Sequence, residues 1–220
     1  MIIDNKKVVK VDELAEIIPF KAGATFSQLW QIFYYTRLFK YVHRQHYSRI
    51  KPAYNKICTD KNLQKLCTLG YFSSPQKDVY CATNKVLPIL KEFGIFPVNT
   101  LPSEPVGKGS INELNNTEVF VQATKQEHFF TLLYCNFTYL IPDALMIQLD
   151  RVNKLYKLTF LEIEALKPDW ENYLENKRDN YLKLAKDIQF FDYWKKMCSL
   201  LELPQPKIEE LKFNYRIIKI

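Results

Sequence analysis

The sequence predicts a mixed α/β (α+β) chain in two parts: helices closed by a hairpin, then a second hairpin followed by a long helix. Three observations predict this. Helical and strand periodicities occur in separate blocks along the chain. A stretch from Phe96 to Ser110 carries three prolines and two glycines, too many breakers for a regular element. The net charge of +7 is confined to one side of that stretch. The expected organisation is a first domain over residues 1–95, a linker over 96–110 and a second domain over 111–220.

In the first part, Ser27 to Lys40 places Leu29, Ile32, Phe33 and Thr36 at helical spacing behind Ser27 as N-cap. A short helix is expected over Tyr41 to Ile50, and Pro52 interrupts the chain after it. A third helix runs from Thr59 or Asp60 to Leu69, with Leu63, Leu66 and Cys67 on one face, and stops at Gly70. Tyr71 to Ala82 reads as two short strands around a polar turn. Thr83 caps a further helix through Val86, Leu87, Leu90 and Phe93. Three helices, a hairpin and a closing helix are the order of a winged helix-turn-helix, whose third helix lies in the major groove of DNA and whose hairpin lies along the backbone. Small helical domains give three helices without that role, and some winged helices bind protein. The hairpin and the charge decide between these.

From Ile17 to Lys77 there are ten basic residues and a single acid, Asp60. They are Lys21, Arg37, Lys40, Arg44, Arg49, Lys51, Lys56, Lys61, Lys65 and Lys77. The flanking segments are each slightly acidic, so this block holds all of the excess charge, as expected for a surface facing a polyanion. The candidate DNA-binding set is Arg37, Lys40, Arg44, Arg49, Lys51, Lys56, Lys61, Asn62, Gln64, Lys65 and Lys77. Lysines suit phosphates, whereas Asn62 and Gln64 have the amide geometry that reads adenine edges. A basic face that only keeps the protein soluble is the plainer alternative.

Other classes fall away. Five glycines leave no phosphate-cradling loop, and no Ser-His-Asp or Cys-His set is present. No histidine cluster or isolated tyrosine marks a relaxase. Five widely spaced cysteines without a C-x-x-C pair fit reduced thiols. His43 and His46 share a helix face, but solvated histidines are favoured over metal ligands there; His128 reads as structural. No signal peptide and no membrane span is visible, so the protein is expected to stay in the cytoplasm.

The second part opens with a hairpin. Leu140 to Leu149 reads as one strand, Asp150 to Lys154 as a turn, and Leu155 to Glu164 as the returning strand. A turn centred on Val152 and Asn153 sets Asp143 opposite Glu162, with Glu164 on the same face. Three converging carboxylates need a divalent cation or a basic side chain between them. A helix starting at Pro168-Asp169 carries Trp170, Leu174, Tyr181, Leu184 and Ile188 as its apolar stripe. Lys177 falls on that stripe. Two readings stand: it meets the carboxylates, or it extends its amine outward over apolar neighbours. The alternation of Glu171, Glu175, Lys177, Arg178 and Asp179 along this helix reads as a solvated face with i,i+4 pairs. Tyr215 to Ile220 reads as a final strand.

Pro142-Asp143, Phe160-Leu161-Glu162-Ile163-Glu164, and a helix with Lys177 then Tyr181 resemble the restriction-endonuclease-like core motif PD-(D/E)xK. With the winged helix in front, the order over residues 25 to 187 resembles the replication-relaxation family of plasmids, phages and integrative elements. The resemblance implies a restriction-endonuclease-like α/β domain and an accessory DNA-binding role in replication or relaxase-dependent mobilisation. It also implies double-stranded DNA and a relaxase or replication protein as partners, whereas a homodimer is expected of a transcriptional regulator. The endonuclease pattern places lysine where this chain has Glu164. Two outcomes stay open. Asp143, Glu162 and Glu164 bind Mg²⁺ or Mn²⁺ and Lys177 serves as the catalytic lysine of a nuclease, or the core is a retired scaffold. A transcriptional regulator with a dimerising second domain is the third reading.

Overall fold

The computed structural model describes residues 26–92, 102, 104–105, 111–134, 140–150, 152, 155–164, 167–184, 186–187, 190–192, 194–195 and 211–219. Contacts divide the chain into two units, Met1–Gly94 with Pro102–Val121, and Ile95–Leu101 with Gln122–Ile220. The chain is a mixed α+β protein with a three-stranded antiparallel sheet in the first unit and a four-stranded mixed sheet in the second. No helix among the described residues is long and apolar enough to cross a membrane.

The first unit begins with α1 (Phe26–Phe39). Ser27, expected as its N-cap, lies within its first turn. β1 (Val42–His43) and α2 (Arg44–Ile50) follow. A single helix was expected over Tyr41 to Ile50; the start of that segment is instead a strand, because Val42 and His43 pair with Tyr80 and Val79. After Pro52 comes a one-turn α3 (Tyr54–Ile57), which the sequence reading did not contain. α4 (Asp60–Thr68), β2 (Phe72–Gln76) and β3 (Val79–Ala82) then appear where the breakers and periodicities put them. A 3-10 turn (Asn84–Val86) capped by Thr83 leads into α5 (Leu87–Glu92). The sheet order is β1-β3-β2, so the strand after the hairpin turn is central.

The core of this unit is aromatic. Phe33 meets Tyr71 at 5.9 Å and Phe72 edge-on at 5.6 Å, and Phe39 stacks on Phe120 at 5.1 Å. Each such buried ring is worth roughly 1.5–3 kcal/mol of burial. Phe120 belongs to α6 (Ile111–Ala123), which also reaches the sheet through Leu114 packed on Tyr41, Val79 and Cys81. Thr117 Oγ1 donates to the Tyr41 carbonyl at 2.5 Å. Contacts thus group most of this helix with the first unit, although it follows the proline-rich stretch in sequence.

That stretch is itself tied down where it is described. Pro102 is buried, its carbonyl accepting from Arg37 Nε at 2.8 Å, and Glu104 accepts from the Asn84 backbone N–H at 2.8 Å. Cys58, Cys67 and Cys81 are free thiols; Cys135 and Cys198 lie outside the described residues.

The second unit holds β4 (Phe129–Leu133), β5 (Ala144–Asp150), β6 (Leu155–Glu164), α7 (Trp170–Leu184) and β7 (Leu211–Lys219). The sheet runs β4-β5-β6-β7, antiparallel except for the parallel pair β6–β7. A parallel pair needs a crossover, and α7 lies within the segment that makes it. Its Tyr181 ring sits 5.3 Å from Phe160 on β6. Ala144 pairs with Leu161 and Leu145 with Phe160, the register expected from a turn at Val152-Asn153. The first strand was expected from Leu140; it begins at Ala144, because Pro142 has no N–H to give to a ladder. Val152 N–H donates to the Asp150 carboxylate at 3.0 Å, an Asx turn that closes the hairpin.

Candidate functional site

In the first unit the candidate surface is built on α4. Thr59 accepts from the Asn62 N–H and starts the helix, and Leu63 and Leu66 turn inward. The helix ends in a Schellman arrangement: Tyr71 N–H donates to the Leu66 carbonyl at 3.0 Å and Gly70 N–H to Cys67 at 2.9 Å. Gly70 carries φ +76°, the left-handed backbone that glycine adopts without strain. With the inner face fixed, Lys61, Gln64, Lys65 and Thr68 are exposed. They are spaced three and four apart and form one stripe. Asp60, the acid at the head of this helix, is held by Arg44 at 2.7 Å, so its charge is compensated beside the stripe.

The structure sorts the expected DNA-binding residues. Lys40, Arg44, Lys51, Lys56, Lys61, Gln64, Lys65 and Lys77 are exposed. Lys77 and Asp78 form the turn between β2 and β3, with Asp78 at φ 60°. Arg37 does not belong with them. It is 2% exposed, and its guanidinium donates to the carbonyls of Pro102 and Ala82 and to Asn84 Oδ1. A guanidinium spent on buried backbone cannot reach a phosphate. Arg49 is half-buried and clasps the Glu118 carboxylate of α6 with both terminal nitrogens. Asn62, expected to face a base, turns its amide inward to the Ile57 carbonyl at 2.8 Å.

His46 is a further correction, since solvated histidines were expected. It is 5% exposed, and its Nδ1 accepts from the His43 N–H at 3.2 Å while Nε2 lies 3.6 Å from Glu118. His43 in turn accepts from Gln45 N–H, so the two rings form a capping box at the start of α2. Burial holds the His46 imidazole down at about 4; the Glu118 carboxylate pulls it up, and Arg49 and His43 push it down.

In the second unit the carboxylates do converge. Glu162 is 2% exposed. It receives Lys177 Nζ at 2.9 Å and the Tyr181 hydroxyl at 2.5 Å. Glu164 receives the Tyr173 hydroxyl, Lys167 at 2.9 Å and Lys177 at 3.5 Å. Asp143 accepts from the Ile163 backbone N–H at 2.7 Å. Lys177 therefore meets the carboxylates and does not extend past them to solvent. Burial raises the Glu162 carboxyl above its ordinary range, the Tyr181 and Lys177 hydrogen bonds draw it back, and the Asp143 charge adds to the rise. A divalent ion does not fit this set as arranged, because the lysine amine stands between the two glutamates. Among the described residues no three His, Cys, Asp or Glu side chains are placed to hold a metal.

Comparison with family models, curated proteins and solved structures finds no match. The chemistry is therefore read from the side chains alone. Sequence reasoning missed Tyr173 and Lys167, which complete the glutamate clasp, and Thr68, which completes the α4 stripe. Thr68 carried a usable signal, standing three and four residues past Lys65 and Gln64. Tyr173 stands four residues before Lys177, a helical spacing that puts both on one face. Lys167 lies ahead of the helix, where no periodicity indicates it.

Proposed function

We propose that this protein binds double-stranded DNA through its first unit, acting as a winged helix-turn-helix with α4 in the major groove and the β2–β3 hairpin along the backbone. The observation that carries this reading is the exposed stripe of Lys61, Gln64, Lys65 and Thr68 on a helix whose single acid is already paired. The order α1, β1, α2 with α3, α4, β2, β3 and the strand order β1-β3-β2 support it, since this is how such a module presents its third helix. The sequence resemblance extends the proposal to an accessory protein of a mobile element, acting in replication or relaxase-dependent mobilisation with a relaxase or replication protein as partner.

A restriction-endonuclease-like second unit acting as a Mg²⁺- or Mn²⁺-dependent nuclease is the competing reading. The convergence of Asp143, Glu162, Glu164 and Lys177 favours it, and the engagement of both glutamates by lysines and tyrosines weighs against it. One experiment addresses both. Labelled duplex is titrated by fluorescence anisotropy at about 50 and 200 mM salt, and supercoiled plasmid is incubated with protein and Mn²⁺. We predict binding that weakens steeply with salt, a large loss in a Lys61→Ala/Lys65→Ala variant, and unchanged binding in Asp143→Ala. Salt-independent binding, or full affinity in the double variant, would overturn the DNA-binding proposal. Plasmid nicking that Asp143→Ala abolishes would establish the nuclease.

A further inference from the structure

We infer that Gln64 is the base-reading residue of α4 and that it selects an adenine in the bound duplex. This inference rests on the DNA-binding reading above and adds what that surface recognises. Four side chains form the exposed stripe, and their chemistry is unequal. Lys61 and Lys65 are donors only, suited to phosphates or to guanine acceptors. Thr68 already donates its hydroxyl hydrogen to the Gln64 carbonyl at 3.1 Å, which leaves chiefly its methyl group for contact with a base. Asn62, the other amide on the helix, is occupied with the Ile57 carbonyl. Gln64 is what remains. It sits at the centre of the stripe, exposed, and its side-chain amide meets no partner among the described residues.

A primary amide offers one donor and one acceptor side by side, the complement of adenine N6 and N7 in the major groove, where no other base shows that pair. The helix is held firmly enough to use it. Thr59 fixes one end, the Schellman turn at Gly70 fixes the other, and Leu63 and Leu66 fix its rotation about its axis. Lys61, about one turn before Gln64, and Lys65, the residue next to it, anchor the helix to the backbone without choosing a sequence. The specificity is then carried by one residue, and it changes with that residue's chemistry: a carboxylate at this position accepts from cytosine N4.

The test is selection of bound duplexes from a randomised pool with the full chain, followed by anisotropy titration of the enriched site and of its single-base variants. Wild type is expected to enrich A·T at one fixed position and to bind the other pairs there about tenfold more weakly. Gln64→Ala is expected to bind with that position relaxed, and Gln64→Glu to move the preference toward cytosine. Circular dichroism and thermal melting of both variants establish that they are folded. Tight, salt-sensitive binding by wild type with no enriched position, or an adenine preference that survives Gln64→Ala, would overturn the inference and leave the DNA-binding proposal standing. Absence of binding to any duplex would overturn both.

Discussion

Arg37 spends its guanidinium inside the first unit, and the consequence is a stability prediction in place of a binding one. Burial lowers its pKa, the Glu104 carboxylate opposes that, and three acceptors use its nitrogens. Removing the side chain leaves the Ala82 and Pro102 carbonyls and Asn84 Oδ1 without that donor. We predict that Arg37→Ala costs about 2–4 kcal/mol, read as a lowered urea midpoint, and leaves DNA affinity per folded molecule unchanged. A stable variant with weakened binding would return Arg37 to the interface. His46 gives a second prediction at this scale. Its folded pKa is depressed to about 4, whereas the unfolded chain takes its proton near the ordinary value of about 6.5. Between those values the unfolded state binds more protons, so stability is fully present above about 6.5 and falls as pH drops toward about 4. The facing groups are Glu118, Arg49 and His43. His46→Gln has no such proton to gain. Its stability should fall less steeply between pH 7 and 5, measured by urea unfolding in matched buffers, and a parallel fall would show that other groups carry the dependence.

At the scale of elements, the clasp between β6 and α7 is where a buried charge is balanced. Glu162 is held by one lysine and one tyrosine of the same helix, Lys177 and Tyr181, four residues apart. Lys177→Met strips the cation from a buried carboxylate and should destabilise the second unit by about 3 kcal/mol. Adding Glu162→Gln to that variant should recover much of the loss, because the uncompensated charge goes with it. A double variant no better than Lys177→Met, by thermal or urea unfolding, would mean that the lysine acts through packing alone. This clasp was half legible in the sequence. A turn centred on Val152 and Asn153 sets the register, and Ala144↔Leu161 obeys it, so the strand partners could be read. The tyrosine hydroxyls could not, since tyrosine on an apolar stripe reads as core. The same division holds elsewhere. α4 was legible because Thr59 and Gly70 mark its ends by local chemistry. β1 was not, because two residues show no period, and α6 was not, because Asn112, Asn115 and Asn116 mask a weak apolar stripe. Asn62 looked like a base reader for want of any sequence signal that its amide faces Ile57.

On the scale of the whole molecule, charge and fold divide at different points along the sequence. The excess positive charge ends at Lys77, while the first unit continues through Val121 and brings in Glu104 and Glu118. Those two acids are not random dilution. Glu118 takes Arg49 and faces His46, and Glu104 caps Asn84 near Arg37. They engage basic residues that lie inward, Arg49, His46 and Arg37, whereas the lysines on the outside are exposed. Among the described residues of the block, Lys40, Lys51, Lys56, Lys61, Lys65 and Lys77 are the exposed lysines. If most of them meet phosphates, log K should fall against log salt with a slope of about −4 to −5, at close to 0.9 per contact. Single replacements should then separate into two classes. Lys61→Ala or Lys77→Ala should reduce the slope by about 0.9 and weaken all sequences alike. Arg49→Ala should leave the slope unchanged, because its charge is already matched by Glu118. A full salt titration of each variant on one non-specific duplex distinguishes the classes. An Arg49→Ala slope that drops as far as that of Lys61→Ala would mean that the Glu118 pair opens on DNA and that α6 takes part in recognition.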